Sequence, residues 1–208
     1  MSHPSPLPLL VLHGLRLKGF ADVSTLAATS GAEPVSIELT LGELHGRGFV
    51  HLPGSGSLGW ALTRDGRSEN ERLLHLELEL LGARSHVEAA YRRFLGINQE
   101  LRSLCTDWQV RGDALNDHDD VEYDESVIAR LGSLHRRARP VCVELSTRLA
   151  RFGRYERRLA AALDKVRDGD GGWFTQPLID SYHTVWFELH EDLLATLGID
   201  RTAEASHL

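Results

Sequence analysis

Cysteine, methionine and positive charge are all scarce in this 208-residue chain, which holds two cysteines, one methionine and 23 Lys and Arg against 30 Asp and Glu. Cys105 and Cys142 each sit inside an apolar helical pattern with no partner nearby in sequence. That excludes a disulfide scaffold and a Cys-x-x-Cys motif, and fits buried thiols in a reducing compartment. No apolar run reaches the roughly 18 residues that a spanning helix needs. The opening "MSHPSPLPLLVLHGL" has no Lys or Arg ahead of its short apolar stretch, so neither a signal peptide nor a membrane helix is expected. A cytoplasmic protein without a membrane partner is the expectation. The net charge of −7 has the wrong sign for a chain that coats nucleic acid non-specifically. G-x-S-x-G, H-E-x-x-H and P-loop patterns are missing, so no catalytic residue, cofactor or metal is assigned and the chain is not read as an enzyme.

What is present suits a soluble globular chain, 42% hydrophobic and 25% charged. Leu7 to Leu17 is a compact apolar helix candidate, broken at Gly19-Phe20-Ala21 before Asp22, a favoured N-cap for "VSTLAATS". After the turn Ser30-Gly31-Ala32 comes "EPVSIELTLGELHGRGF", with Pro34 suited to a first helical turn and Gly46 and Gly48 to its end. Ile37, Leu41 and Leu44 recur at helical spacing and mark a buried side, leaving Val35, Ser36, Leu39, Thr40 and Glu43 nearer the outer face. "FVHL" and "WALT" flank the loop "PGSGSLG" and read as a hairpin. Gly54, Gly56 and Gly59 spell G-x-G-x-x-G, but a strand rather than a helix follows them. They are read as hairpin-tip residues and not as a dinucleotide cradle.

Three pieces, "LAATSGAEPVSIELTLGEL", "GRGFV" and "GWALTRDGR", give the first third of the chain a resemblance to the winged helix-turn-helix domain of MarR-like transcriptional regulators. The resemblance implies that the third helix enters the major groove, that arginines of the wing touch phosphate and that the helix after the wing pairs two protomers. On this sequence the implied contacts to double-stranded DNA are Ser36, Thr40, Arg47, Arg64 and Arg67. Arg16 and Lys18 are the remaining local cations, and the wing tip from Pro53 to Gly59 carries none.

Ser68-x-x-Glu71 matches a capping box for a leucine-rich helix holding Leu73, Leu74, Leu76, Leu78, Leu80 and Leu81. From Ser85 onward Val87, Phe94, Leu101 and Trp108 recur every seven residues. A second stripe runs from Val127 to Leu149, with Pro140 predicting a kink or break. A third holds Tyr155, Leu159, Leu163 and Val166, and a fourth runs from Leu178 to about Leu197. No strand pattern appears after the wing. The expected fold is mainly α: a winged helix-turn-helix with a two-stranded wing over residues 1–82, a helical bundle over 83–200 and a disordered tail over 201–208.

Two clusters in the bundle can carry chemistry. "CTDWQVRGDALNDHDDVEYDE" packs acids around His118 without the spacing of a calcium loop, and reads as an acidic connector between helices. "DSYHTVWFELHED" puts His183 and His190 seven residues apart, about 10 Å along a helix, too far to share a metal unaided. Asp180 is the local candidate partner of His183, and Trp186 that of His190. An effector pocket with aromatic walls and a few polar points would draw on Trp108, His118, Tyr182, His183, Trp186 and His190. The expected function is a homodimeric DNA-binding transcriptional regulator responsive to a small molecule. The alternatives are a protein-interaction adaptor, or a small enzyme or metal protein in which a histidine–aspartate dyad serves as general base.

Overall fold

The computed structural model describes residues 2–54 and 59–200. They are mainly helical, with small antiparallel sheets, and the chain divides into two compact units. The first comprises Met1–Arg84, Arg148–Arg151 and Glu191–Leu208, the second Ser85–Thr147 and Phe152–His190. Besides the expected N-terminal segment, the first unit therefore takes in two short pieces that return from later in the chain. Residues 55–58, with Gly56 of the hairpin tip, and the expected tail over 201–208 lie outside the described residues.

In the first unit the order is α1 (Leu7–Lys18), β1 (Phe20–Ala21), α2 (Val23–Ser30), α3 (Pro34–Gly46), β2 (Val50–His51), β3 (Trp60–Leu62) and α4 (Arg64–Leu81). Asp22 caps α2 as its sequence position suggests, its carboxylate accepting from Thr25 N at 2.7 Å. Pro34 opens α3 and Gly46 closes it. Leu12, Leu15, Leu26, Ile37, Leu41, Leu44 and Val50 form the core between these elements. Each such side chain contributes about 1.5–3 kcal/mol on leaving water.

Two expectations are corrected by this unit. The two-stranded arm gains a third strand: Phe20 and Ala21, read as a helix break, pair with Ala61 and Trp60, giving the antiparallel order β1-β3-β2. Gly59 makes the pairing possible, because it has φ +84° and a Cβ there would stand 2.6 Å from the Ala21 carbonyl. Second, α4 begins at Arg64 and not at the Ser68 capping box. Thr63 is the cap: its hydroxyl accepts from Gly66 N at 3.0 Å and donates to Gly48 O at 2.7 Å. Gly66 lies in the first turn of this helix, where a Cβ would fall 1.8 Å from Phe49 O, so only glycine fits. Along α4, Leu74 and Leu78 are buried while Leu76 and Leu80 are exposed.

The returning pieces are tied to the first unit by backbone and by charge. His3 N donates to Arg148 O and Ala150 N donates to His3 O, a parallel bridge beside Leu149. Below it lies a buried polar cluster: Arg151 stands 3.3 Å from Glu77 and 3.5 Å from Asp192, and donates to Thr196 Oγ1 at 2.8 Å. His13 Nε2 stands 2.9 Å from Asp192, and Ser5 donates to Glu77. Charges removed from water this fully persist only when paired.

The second unit holds α5 (Arg84–Gln109), the strands β4 (Val110–Arg111) and β5 (Ala114–Leu115), α6 (Val121–Arg148), α7 (Gly153–Arg167), the short α8 (Gly172–Thr175) and most of α9 (Tyr182–Leu197). The β4–β5 hairpin corrects the expectation of no strands after the first arm. Arg111 pairs with Ala114 across the two-residue loop Gly112-Asp113, with Gly112 at φ +62°. Of the kink or break expected at Pro140, the break does not occur: helix α6 runs on through the proline. Losing one N–H costs about 3 kcal/mol, and burial of Leu134, Ala138, Val141 and Leu145 on both sides of the proline offsets it. Helix α9 starts at Tyr182, not Leu178, since Ser181 accepts from Thr184 N at 3.3 Å, whereas Leu178 sits exposed at φ +70°. The 87–108, 127–149 and 155–166 stripes are buried as read, Phe94, Trp108, Leu131, Leu149, Tyr155 and Leu159 among them. Cys105 and Cys142 are free and buried, and burial pushes both thiols up to about 12.

Candidate functional site

Two surfaces carry the residues singled out in the sequence. On α3, burial of Ile37, Leu41 and Leu44 leaves Val35, Glu38, Leu39, Gly42 and Glu43 to solvent. Thr40 was expected on that outer face, but it is buried and its hydroxyl donates to Ser36 O at 2.8 Å. A threonine one residue from Leu41 shares the inward edge of the helix, and its hydroxyl is satisfied by its own backbone. Ser36 is half-buried, so the exposed face offers two carboxylates and two apolar side chains and no cation.

The arginines lie beside this helix. Arg47 is exposed, sits 4.6 Å over the Phe49 ring and stands 3.7 Å from Glu69. Glu69 also receives a bidentate pair from Arg72, whose hydrogen bonds and charge hold its carboxyl below the ordinary range. Arg16 is paired with Glu71 at 2.7 Å. Arg64 and Arg67 are exposed and join no ion pair among the described residues. Arg67 lines a cleft of about 540 Å³ together with Arg16, Glu71, Glu191 and Asp200, so acidic groups share its neighbourhood. Arg64 is thus the cation best placed to meet an anion from solvent.

The second surface is a groove of about 680 Å³ within the second unit. Helix α6 supplies Val121, Asp124, Glu125 and Ile128 along one side, α7 supplies Val166 and Arg167, and the glycine-rich stretch 169–172 with Thr175 and Gln176 forms the opposite wall. Trp108 and His118 close one end, their rings 4.5 Å apart. Phe174 stacks on Trp108 at 4.8 Å, and Gly171 lets the chain pass, since a Cβ there would reach Trp108 Cζ2 at 2.9 Å.

At this end His118 and Asp124 form a dyad, Nδ1 to Oδ2, at 2.8 Å. Asn116 settles the proton. Its amide has two hydrogens, which go to Trp108 O at 3.1 Å and Asp124 Oδ1 at 2.9 Å. Asn116 Nδ2 also lies 3.2 Å from His118 Nδ1 but has no hydrogen left for it, and the Asp124 carboxylate can only accept, so in the neutral ring Nδ1 carries the hydrogen and donates it to Asp124. Nε2 keeps the lone pair, and the ring is half-open to solvent. The backbone pays for this placement: His118 has φ +64°, a left-handed conformation few side chains adopt.

The six expected effector residues are not brought together. Trp108 and His118 share the groove. Tyr182, Trp186 and His190 belong to the interior of the second unit, where Trp186 stacks on Phe94 at 4.6 Å and donates to Asn98 Oδ1 at 2.9 Å. His190 lies 5.0 Å from the Phe94 ring, and Tyr182 approaches His135 at 3.3 Å. His183 is on the outside, and Asp180, its candidate partner, receives Arg158 through two bonds of 2.8 and 2.9 Å. Asn116, Asp124 and Arg167 were not singled out from the sequence. The signal for the first two was the Gly112-Asp113 pair between Val110-Arg111 and Ala114-Leu115, a two-residue hairpin that turns the acidic connector into an ordered site.

Among the described residues no three of His, Cys, Asp and Glu are grouped so as to hold a metal ion, and no helix is long and apolar enough to cross a membrane. Fold and surfaces together define a mainly helical protein with one small sheet beside an exposed helix and a polar-ended groove. Comparison with family models, curated proteins and solved structures found no match.

Proposed function

We propose that the first unit is a winged helix-turn-helix module that binds double-stranded DNA as a homodimer, and that the groove of the second unit takes a small effector, making the protein a cytoplasmic transcriptional regulator and not an enzyme. The observation carrying this reading is the succession α1-β1-α2-α3-β2-β3-α4, with β1-β3-β2 pairing beside an exposed α3. Affinity would come from phosphate contacts, with Arg64 first, then Arg67 and Arg47, because α3 itself brings no cation. Ser36 is the one neutral hydrogen-bonding side chain left near the outer face for a base edge.

Anisotropy with the DNA flanking the protein's own coding region, at low salt, tests the reading. Saturable binding is expected, with a shallow dependence on salt, and Arg64→Ala with Arg67→Ala should weaken it more than Ser36→Ala. A folded dimer that does not bind that DNA removes the reading.

A second reading, an adaptor contacting another protein, is favoured by one observation: Val35 and Leu39 are 66% and 67% exposed on α3, between Glu38 and Glu43. Apolar side chains displayed on a helix that carries acids are ill matched to phosphate and well matched to a protein surface. Leu39→Lys separates the two, since it should strengthen DNA binding and weaken a protein contact.

A further inference from the structure

The groove has two unlike ends, and their spacing limits what can lie in it. At one end His118 presents Nε2 as a hydrogen-bond acceptor, its tautomer set by Asp124 and Asn116. Both Asp124 oxygens are already engaged, one by each of these residues. Toward the other end Arg167 lies across Gly132, where a Cβ would stand 2.7 Å from Nη2. The absence of that Cβ lets the guanidinium rest on α6. Its nearest carboxylate is the exposed Asp164, at 3.8 Å, too long for a hydrogen bond and leaving donors available.

Asp124 and Gly132 are eight residues apart on one helix, hence about 12 Å along its axis. Between the ends lie Ile128 and Val166. The side chains of Trp108 and Gln176 already fill the space beside Gly171 and Gly172, so an apolar chain would lie along the aliphatic side chains of Ile128 and Val166. Glu125 lines the groove near the His118 end and repels an anion there, which fixes orientation.

We infer that this groove binds a medium-chain carboxylate carrying a hydroxyl at its far end, with the carboxylate on Arg167 and the hydroxyl donating to His118 Nε2. The inference deepens the effector half of the proposed function and rests on it for its regulatory meaning, while the binding itself does not depend on DNA. Because His118 reaches the Asp124 carboxylate from before the start of α6, the two hydrogen-bonding ends lie further apart than the Asp124 and Gly132 backbone positions, and a chain of about eight carbons with a hydrogen bond at each end suits that span.

Calorimetric titration of the intact chain, without DNA, with 8-hydroxyoctanoate, octanoate and 1-octanol tests it. 8-Hydroxyoctanoate should bind most tightly, several-fold tighter than octanoate and about tenfold tighter than 1-octanol. Arg167→Met should cost both carboxylates about tenfold and leave 1-octanol unchanged. His118→Asn, which suits the left-handed backbone, should erase the difference between the two carboxylates. Gly132→Ala gives a variant that folds at least as well by thermal melting, and it should weaken both carboxylates by displacing the guanidinium. Binding of 1-octanol equal to that of the carboxylates, an unaffected Arg167→Met, or no saturation at millimolar ligand would each overturn the inference. Because DNA is absent, a chain that takes 8-hydroxyoctanoate but no operator loses only the proposed function, and one that binds operator but none of the three loses only this.

Discussion

Each unit contains a histidine–aspartate pair of nearly the same length, and the two do opposite things. His13 and Asp192 stand 2.9 Å apart with side chains 2% and 0% exposed, whereas His118 and Asp124 stand 2.8 Å apart at 42% and 15%. The first is closed off with Arg151 and Glu77, so its charges can only compensate one another. The second stands at a groove, with its ring partly open to solvent. Distance alone does not tell a lock from a site; burial of the pair does, because desolvation raises the stake of every interaction inside and water screens those outside.

The sharpest way to break the comparison is to remove one buried partner. Asp192→Ala leaves Arg151 with Glu77 alone and takes the carboxylate away from His13, and should cost about 3–5 kcal/mol in urea unfolding of the intact chain. Replacing Asp192 and His13 together by leucine should cost less than the sum of the single changes, since neither partner is then stranded. A loss under about 1 kcal/mol for Asp192→Ala would mean that water already reaches the cluster.

Two helical glycines sharpen the contrast next. Gly66 faces the Phe49 carbonyl, which is backbone and cannot yield, so Gly66→Ala should destabilise the first unit by about 1–3 kcal/mol. Gly132 faces only the far end of Arg167, so Gly132→Ala should be neutral or gain up to about 1 kcal/mol from helix propensity. Thermal melts of both variants check the ranking, and equal destabilisation would refute the distinction.

Acid gives a smaller effect. Burial pulls the His135 ring below its ordinary value near 6.5. The unfolded chain therefore takes up that proton first, and stability present above about pH 6.5 falls as the pH drops through that value towards the lower pKa of the folded ring. His135→Gln should flatten the dependence of the melting temperature between pH 7 and pH 5. An unchanged slope would place the acid sensitivity elsewhere.

Periodicity made the long elements legible. Val87, Phe94, Leu101 and Trp108 announced α5, and Ile37, Leu41 and Leu44 the inner side of α3, because burial and sequence spacing share one period. What stayed hidden depended on contacts across the fold. Gly66 can be only glycine because Phe49 O occupies the space a side chain would take, and Phe20 is in a strand because Ala61 of β3 comes to meet it. The groove was half legible: Trp108 and His118 were singled out, but grouped with Tyr182, Trp186 and His190, which burial assigns to the interior. Aromatic and imidazole rings look alike in sequence whether they wall a pocket or fill a core. Asp124 was lost among its acidic neighbours, since nothing in a run of carboxylates marks the one that will meet a histidine.

The exposed dyad supplies the smallest stability effect and the clearest chemical one. Asp124→Asn removes the charge that accepts the Nδ1 hydrogen and puts an amide in its place. That amide can donate to Nδ1, which moves the ring hydrogen to Nε2. With the histidine this exposed, the cost in stability should stay below about 1 kcal/mol. The ring nitrogen shifts of His118, followed by NMR, should nevertheless reverse, Nδ1 becoming the unprotonated atom. Asp192→Asn makes the same chemical change where water cannot enter, and should do the reverse, costing stability in full. A reversal of tautomer at His118 without unfolding therefore separates a pair that presents a nitrogen from one that holds a fold together; loss of folding in Asp124→Asn would put both pairs in one class.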